Sequence, residues 1–449
     1  MMSELPVVIV GAGPIGLAAA AELRERGLRP LVIEKGSVAG SSVARWNHVR
    51  LFSQWSEVIA PAAQRLLQTT EWVTPEPESY PTGSDWSAEY LSPLAAALGD
   101  AVQFDTEVIG VARRGRDRLV DAGRDTEPLS IHVRSADGSE DRLLARAVID
   151  ASGTWSTPNP LGSEGLPAIG ERSAAESLEY RVPDLADPQV RERYAGKHTV
   201  IAGAGHSALT AIVALASLAK DAPGTRITWA LRRGGVGTTF GGGASDQLPA
   251  RGTLGIRASQ ALEDGLLSVV TEFRTAAIES DASGTHVIVS DNGQRIEAVD
   301  RAVVLTGFRP DLSWLSEVRL DLDPTLQAPT EMAPLIDPNV HSCGTIYPHG
   351  FRELSQPEPN FFLAGMKSYG RAPNFLAMTG YEQVRSIAAH LAGDQESAGR
   401  VELILPETGV CGGAGVFDEP EDQPESDGGC CGAEPAEAIR ILASNTAGQ

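Results

Sequence analysis

The chain has 449 residues, 42% of them hydrophobic, and a formal net charge of −22. That length and apolar content suit two or three domains of roughly 150 residues each, with real cores. The charge argues against nucleic acid and anionic membrane surfaces as partners. Ten acidic residues and one basic residue, Arg440, lie from Val401 onward, so −9 of the charge belongs to the tail and −13 to the body.

The start, Met1-Met2-Ser3-Glu4, has no basic region, and the first apolar run is broken by Gly11 and Pro14. No secretory signal is expected, and a cytoplasmic protein is. The run at 7–10 reads as a strand, followed by Gly11-Ala12-Gly13-Pro14-Ile15-Gly16, a helical stretch to Leu28, a second strand at 30–33, and Glu34. This is a complete dinucleotide-binding unit. Gly11 permits the tight turn, Gly13 lets the backbone approach a pyrophosphate, and Gly16 lets helix and strand pack closely. Glu34 stands at the separation expected of a carboxylate that hydrogen-bonds a ribose with free hydroxyls.

Further on, residues 104–111 read as a strand, and 129–133 with 142–148 as a hairpin pair around Ala136-Asp137-Gly138. They lead into Ala151-Ser152-Gly153. A second unit follows: a strand at 199–202, Gly203-Ala204-Gly205-His206-Ser207-Ala208, a helix to Lys220, and a strand from Arg226 into Arg232 and Arg233. The low-charge stretch 199–219 is punctuated by Gly203, Gly205 and His206-Ser207, which fits a Rossmann unit better than a membrane span. No carboxylate ends its second strand. Two arginines there suit a 2′-phosphate through charge-assisted hydrogen bonds, so the expected nucleotides are FAD at the first unit and NADPH at the second. A hairpin at 285–290 and 294–298 then leads into Thr306-Gly307, repeating the order of the first half.

These motifs, with the segment 46–53 and Asn360-Phe361-Phe362-Leu363-Ala364-Gly365, resemble those of two-dinucleotide-binding flavoproteins. The likeness is to the flavin-containing monooxygenase-like and potassium-transport-type groups, and it covers roughly residues 6–395. The resemblance implies an α/β protein: an FAD-binding Rossmann-like domain (1–160 and 325–400) with an inserted NADPH-binding Rossmann-like domain (161–324); the composition of the acidic tail (401–449) reads as disordered. It implies flavin contacts from Ala12, Pro14, Ile15, Lys35, Trp46, Arg50, Val108, Ala151, Gly153, Gly365 and Met366. Contacts to NADPH are implied for Gly203, Gly205, His206, Ser207, Thr306 and Gly307 beside Arg232 and Arg233. One departure is that the F-x-G-x-x-x-H signature of those monooxygenases is missing ahead of the second fingerprint, where 165–183 hold no histidine.

No cysteine precedes Cys343, so the dithiol mechanism of disulfide reductases is excluded. His48 is a candidate acid or base, set against a structural hydrogen-bonding role. Lys367, Tyr369, Arg371 and Asn374 form a candidate active-site wall, set against a loop that caps the next helix. Beyond Pro406 the composition turns to Gly, Pro, Glu and Asp, too polar for a core. Cys411, Cys430 and Cys431 in that tail could hold a soft metal or metalloid, or be incidental thiols. The leading functional reading is a flavin monooxygenase that takes hydride from NADPH and uses dioxygen on a small soft substrate. The competing reading is a flavoprotein reductase, or a redox or metalloid sensor that uses the tail cysteines.

Overall fold

In the computed structural model, which describes residues 4–241, 243, 249–282, 284–338, 349–373 and 375–403, both glycine-rich turns sit where a buried strand hands over to a helix. β1 (Val7–Val10) is four apolar residues, all buried, paired in parallel with β2 (Pro30–Ile33). A parallel strand covered on both faces reads as an unbroken apolar run, as this one does. β3 (Val102–Gln103) extends the sheet past β2. β4 (Thr106–Arg113), β5 (Leu129–Ser135) and β6 (Glu140–Ala145) form a separate antiparallel sheet, and β7 (Ala147–Asp150) returns beside β1.

The sequence reading joined 142–148 into one strand. The chain instead changes sheets at Arg146, whose backbone N–H donates to Pro6 O at 3.0 Å. Both flanking stretches contain buried apolar residues, so hydrophobicity alone does not mark the break.

The second half repeats the plan. β8 (Leu178–Glu179), β9 (His198–Ala202), β10 (Arg226–Ala230) and β11 (Ser268–Val270) precede an antiparallel trio, β12 (Thr275–Ser280), β13 (His286–Ser290) and β14 (Arg295–Val299). β15 (Arg301–Val304) then enters a parallel sheet of order β11-β10-β9-β15-β8. Finally β16 (Phe361–Leu363) pairs with β7 and completes the first sheet in the order β16-β7-β1-β2-β3. The whole second parallel sheet is therefore inserted in sequence between two neighbouring strands of the first.

Four helices matter for the site: α1 (Pro14–Glu25), α2 (His206–Asp221), α3 (Pro249–Glu263) and α4 (Ala377–Ala392). α1 packs against α4 and stops at Glu25, short of the expected Leu28, where Gly27 turns to φ +72°. The Pro- and Trp-containing region up to Trp86 holds short helices at Trp55–Val58, Pro61–Leu67 and Gly83–Trp86. Among the described residues no helix is long and apolar enough to cross a membrane.

A buried carboxylate fastens the antiparallel sheet of the first half to the strand that returns. Glu358, just ahead of β16, accepts from Arg113 Nη2 at 2.7 Å and Arg124 Nη2 at 2.7 Å, and all three side chains are at most 5% exposed. Removing one partner of such a group leaves uncompensated charge out of water, at a cost of about 3–5 kcal/mol. Glu358→Ala should therefore lower the unfolding free energy by that order, read as a lower denaturation midpoint. A midpoint equal to that of the wild type would show that water reaches these arginines.

Candidate functional site

A cleft of about 560 Å³ opens along the C-terminal ends of the first sheet, where ligands collect in open α/β folds. Its walls come from the turn after β1 (Gly11, Gly13, Pro14, Ile15), Glu34, and the segment 40–53 including Trp46, Leu51 and Phe52. Further walls are the turn after β7 (Ala151, Ser152, Gly153, Thr154, Trp155), the turn after β16 (Gly365, Met366), and Phe375 to Thr379 at the start of α4. The second half contributes His206, Arg251 and Phe308.

The last two glycines of the first fingerprint do different work. A Cβ on Gly16 would lie 1.9 Å from Gly11 O, so this glycine is required by the fold itself. A Cβ on Gly13 would meet nothing within 4 Å. Gly13 is the N-cap of α1, no side chain caps the helix, and its first turn holds no acidic residue. Helix N-terminal N–H groups left without a side-chain acceptor, beside open space, fit a pyrophosphate.

Glu34 is buried at the cleft wall, and its two oxygens accept from Ala12 N at 2.7 Å and Gly36 N at 2.8 Å. Each oxygen keeps a lone pair, so the carboxylate is oriented by the backbone and can still accept from ribose hydroxyls. FAD therefore fits the donor set present.

The second fingerprint has the same signs. Gly203 has φ +129° and a Cβ there would lie 2.2 Å from Leu305 O, whereas Gly205, the N-cap of α2, faces open space and α2 has no side-chain cap. Gly205 and Ser207 are exposed. Partial burial, and then the like charge of Arg233, hold Arg232 below the usual arginine pKa. A pair of cations that disfavour each other is relieved by a bound dianion.

Other expected residues lie elsewhere. Trp46 lines the cleft with its ring 6.3 Å from that of Trp86, and Gly83 has no side chain because Trp46 occupies the space. Lys35 is exposed, Arg50 is exposed and donates to Tyr80 O, and Val108 is buried in the core beneath β4. Thr306 and Gly307 are taken up by the crossing linker, where Thr306 Oγ1 donates to Pro160 O and Gly307 O accepts from Asn159 N.

Of the candidate wall, Lys367, Tyr369 and Arg371 are not among the residues that line the cleft. Lys367 is 1% exposed and forms an ion pair of 2.7 Å with Asp150. Tyr369 is fully buried against His349 and Phe375, and burial raises its pKa well above the usual value. Arg371 is exposed and donates to Gln327 at 2.8 Å. His48 is half-buried off the cleft, with a buried Nε2 that makes no hydrogen bond among the described residues. Asn374, Cys411, Cys430 and Cys431 lie outside the described residues.

Arg251 was missed because it opens α3 after a Gly-rich stretch that carries no motif. Gln383 was missed too, although a polar residue inside an apolar helix is a signal. It is fully buried in α4, accepts from Gly365 N at 2.7 Å and donates to Ser368 Oγ at 3.0 Å.

Residues 8–339 match the model of the pyridine nucleotide-disulphide oxidoreductase family. The chain belongs to that family. It is an FAD-dependent oxidoreductase with FAD and NADP(H) as cofactors. The matched span contains no cysteine.

Among relatives, the chain is 31% identical to the indole-3-pyruvate monooxygenase YUCCA1 of Oryza sativa subsp. japonica, over 45% of this chain and 43% of that protein. The chain thus spans less than half the length of the rice protein. It is 24% identical to a ferredoxin–NADP reductase of Ignicoccus hospitalis, over 70% of this chain and 81% of that one. In fold it resembles the bacillithiol disulfide reductase of Bacillus cereus, at TM-score 0.64 and 20% identity, over 87% of this chain and 99% of that one. It also resembles the FAD-bound cadaverine monooxygenase of Erwinia amylovora, at TM-score 0.62 and 12% identity, over 90% and 98%.

The contrast between the two glycines gives a test. Gly13→Ala should fold as the wild type does, because the new methyl meets no protein atom, and should lose FAD on gel filtration. Gly16→Ala should lower the melting temperature of the protein even when flavin is supplied. Full flavin retention by Gly13→Ala would remove Gly13 from the cofactor's path.

Proposed function

We propose that this enzyme is a cytoplasmic NADPH-dependent flavin monooxygenase acting on a small soft acceptor. The observation that carries it is the cleft: side chains of the second half, His206, Arg251 and Phe308, line the same cavity as the first fingerprint, with no thiol among its described lining residues. FAD, when bound, accepts hydride from NADPH and supplies the reaction with dioxygen. The chain's own part is to bind, orient and exclude water.

The N-terminus of α1 and Glu34 hold the dinucleotide, and Phe52, Trp155, Phe308 and Phe375 keep the opposite part of the cleft dry. The flavin domain comprises 1–160 and 325–400, and the nucleotide domain 161–324. The rice relative's name as a monooxygenase supports oxygen transfer; the longer match to the archaeal reductase favours the competing reading of electron transfer to an external acceptor.

The two readings part on the fate of oxygen. With NADPH and a suitable thioether or carbonyl acceptor, oxygen consumed should appear in the organic product, with little hydrogen peroxide. Quantitative recovery of that oxygen as peroxide, whatever acceptor is offered, would overturn the monooxygenase reading.

NADPH should be preferred to NADH because Arg232 and Arg233 receive the 2′-phosphate. A charge-assisted contact contributes about 1.5–3 kcal/mol, or roughly tenfold to a hundredfold in affinity. The double variant Arg232→Ala with Arg233→Ala should narrow the preference by that factor and leave NADH use nearly intact. An unchanged ratio of the two efficiencies would clear both arginines of the task.

A further inference from the structure

The charges on the cleft wall are few and unevenly placed. Among its described lining residues only Glu34, His206 and Arg251 carry ionisable side chains. Glu34 is occupied at the first fingerprint by the N–H groups of Ala12 and Gly36. The remaining two both come from the second half, and Arg251 is 6% exposed. A guanidinium does not lose its proton in a protein, and its five N–H donors let it hold partners within the chain while still facing the cavity.

The same wall carries four aromatic side chains from the two halves, Phe52, Trp155, Phe308 and Phe375, among its described lining residues. Phe52 meets His206 edge-on at 5.4 Å between ring centroids, and Trp155 stacks on Phe308 at 4.9 Å. The other groups assigned to nucleotide anions, Gly205, Ser207, Arg232 and Arg233, are not on this wall. Arg251 is thus set apart from those four groups, on the cavity wall itself.

We propose that the acceptor is an apolar anion, of the carboxylate class, whose charged head is received by Arg251 while its body lies against Phe52, Trp155 and Phe308. Aromatic faces attract cations, but a guanidinium in the same low-dielectric cleft opposes one. An alkylammonium acceptor is thereby selected against. This deepens the monooxygenase reading and rests on its assignment of the cleft as the acceptor site.

The test is binding rather than turnover. FAD-loaded protein is titrated with 3-phenylpropionate, 3-phenylpropanol and 3-phenylpropylamine, read by the perturbation of the flavin spectrum. The carboxylate should bind at least tenfold more tightly than the amine, with the alcohol between. Arg251→Met should lose about tenfold to a hundredfold in carboxylate affinity, and Arg251→Lys should recover part of it. Calorimetric titration with NADP⁺ should give the same affinity for wild type and Arg251→Met.

Equal binding of carboxylate and amine by the wild type overturns the proposal. So does an Arg251→Met variant that loses NADP⁺ and keeps the carboxylate, which would assign Arg251 to the nucleotide. Flavin content and circular dichroism of both variants establish that they fold, and Arg251→Lys carries the comparison if Arg251→Met does not. Because no oxygen is consumed, peroxide formation in the turnover assay would sink the monooxygenase reading and leave the carboxylate selectivity to stand or fall by itself.

Discussion

Asp150 and Lys367 form an ion pair of 2.7 Å with side chains 0% and 1% exposed, and it joins the ends of two strands between which the entire second half of the protein is inserted. Asp150 ends β7 and Lys367 lies in the turn after β16. The other Asp150 oxygen accepts from Ser152 N at 3.1 Å and Ser152 Oγ at 2.6 Å, and Lys367 Nζ reaches Ser152 Oγ at 3.1 Å. The ammonium also stands 4.5 Å from the centre of the Trp314 ring. Burying two charges is costly unless each is met by a partner; here one Asp150 oxygen is hydrogen-bonded by Ser152, the other is met by the ammonium alone, and the ammonium also has Ser152 Oγ and an aromatic face. The two turns held by this network, 151–155 and 365–366, are cleft walls, so the cavity's width follows from the pair.

That role accounts for Lys367 being absent from the cleft surface. Gln383 supports the same turn from α4 by accepting the Gly365 N–H, and Ile15 of α1 fills the space a Gly365 side chain would take. Polar residues clustered after a returning strand are here the fastening of the wall rather than its reactive face.

The parts legible in the sequence are those whose physics is local. A strand, a turn that only glycine can make and a helix starting at once are all written within ten residues, so both fingerprints and the acidic residue at 34 could be placed without coordinates. What depends on partners hundreds of residues away was not legible: the Asp150–Lys367 and Arg113–Glu358 pairs, the exit of Lys367 and Tyr369 into the core, and the arrival of Arg251 at the flavin-side cavity. The strand break at Arg146 failed for a related reason, since both sheets ask for apolar residues and only their geometry differs.

The two linkers that cross between the halves carry Trp155 and Phe308, so whatever fixes the linkers also fixes part of the cleft. Asn159 does much of this: its N–H donates to Gly307 O at 2.9 Å, its amide donates to Thr306 O at 2.9 Å, and its side-chain oxygen accepts from Arg309 Nε at 2.8 Å. Thr306 Oγ1 returns a bond to Asn159 O at 3.3 Å. Four bonds through one residue leave the linkers little freedom to slide past each other. The stack of Trp155 on Phe308 is consequently presented to the first fingerprint's cavity in a defined position. Each half thereby contributes what the other lacks: the first gives the cleft its carboxylate and most of its apolar wall, and the second gives it positive charge.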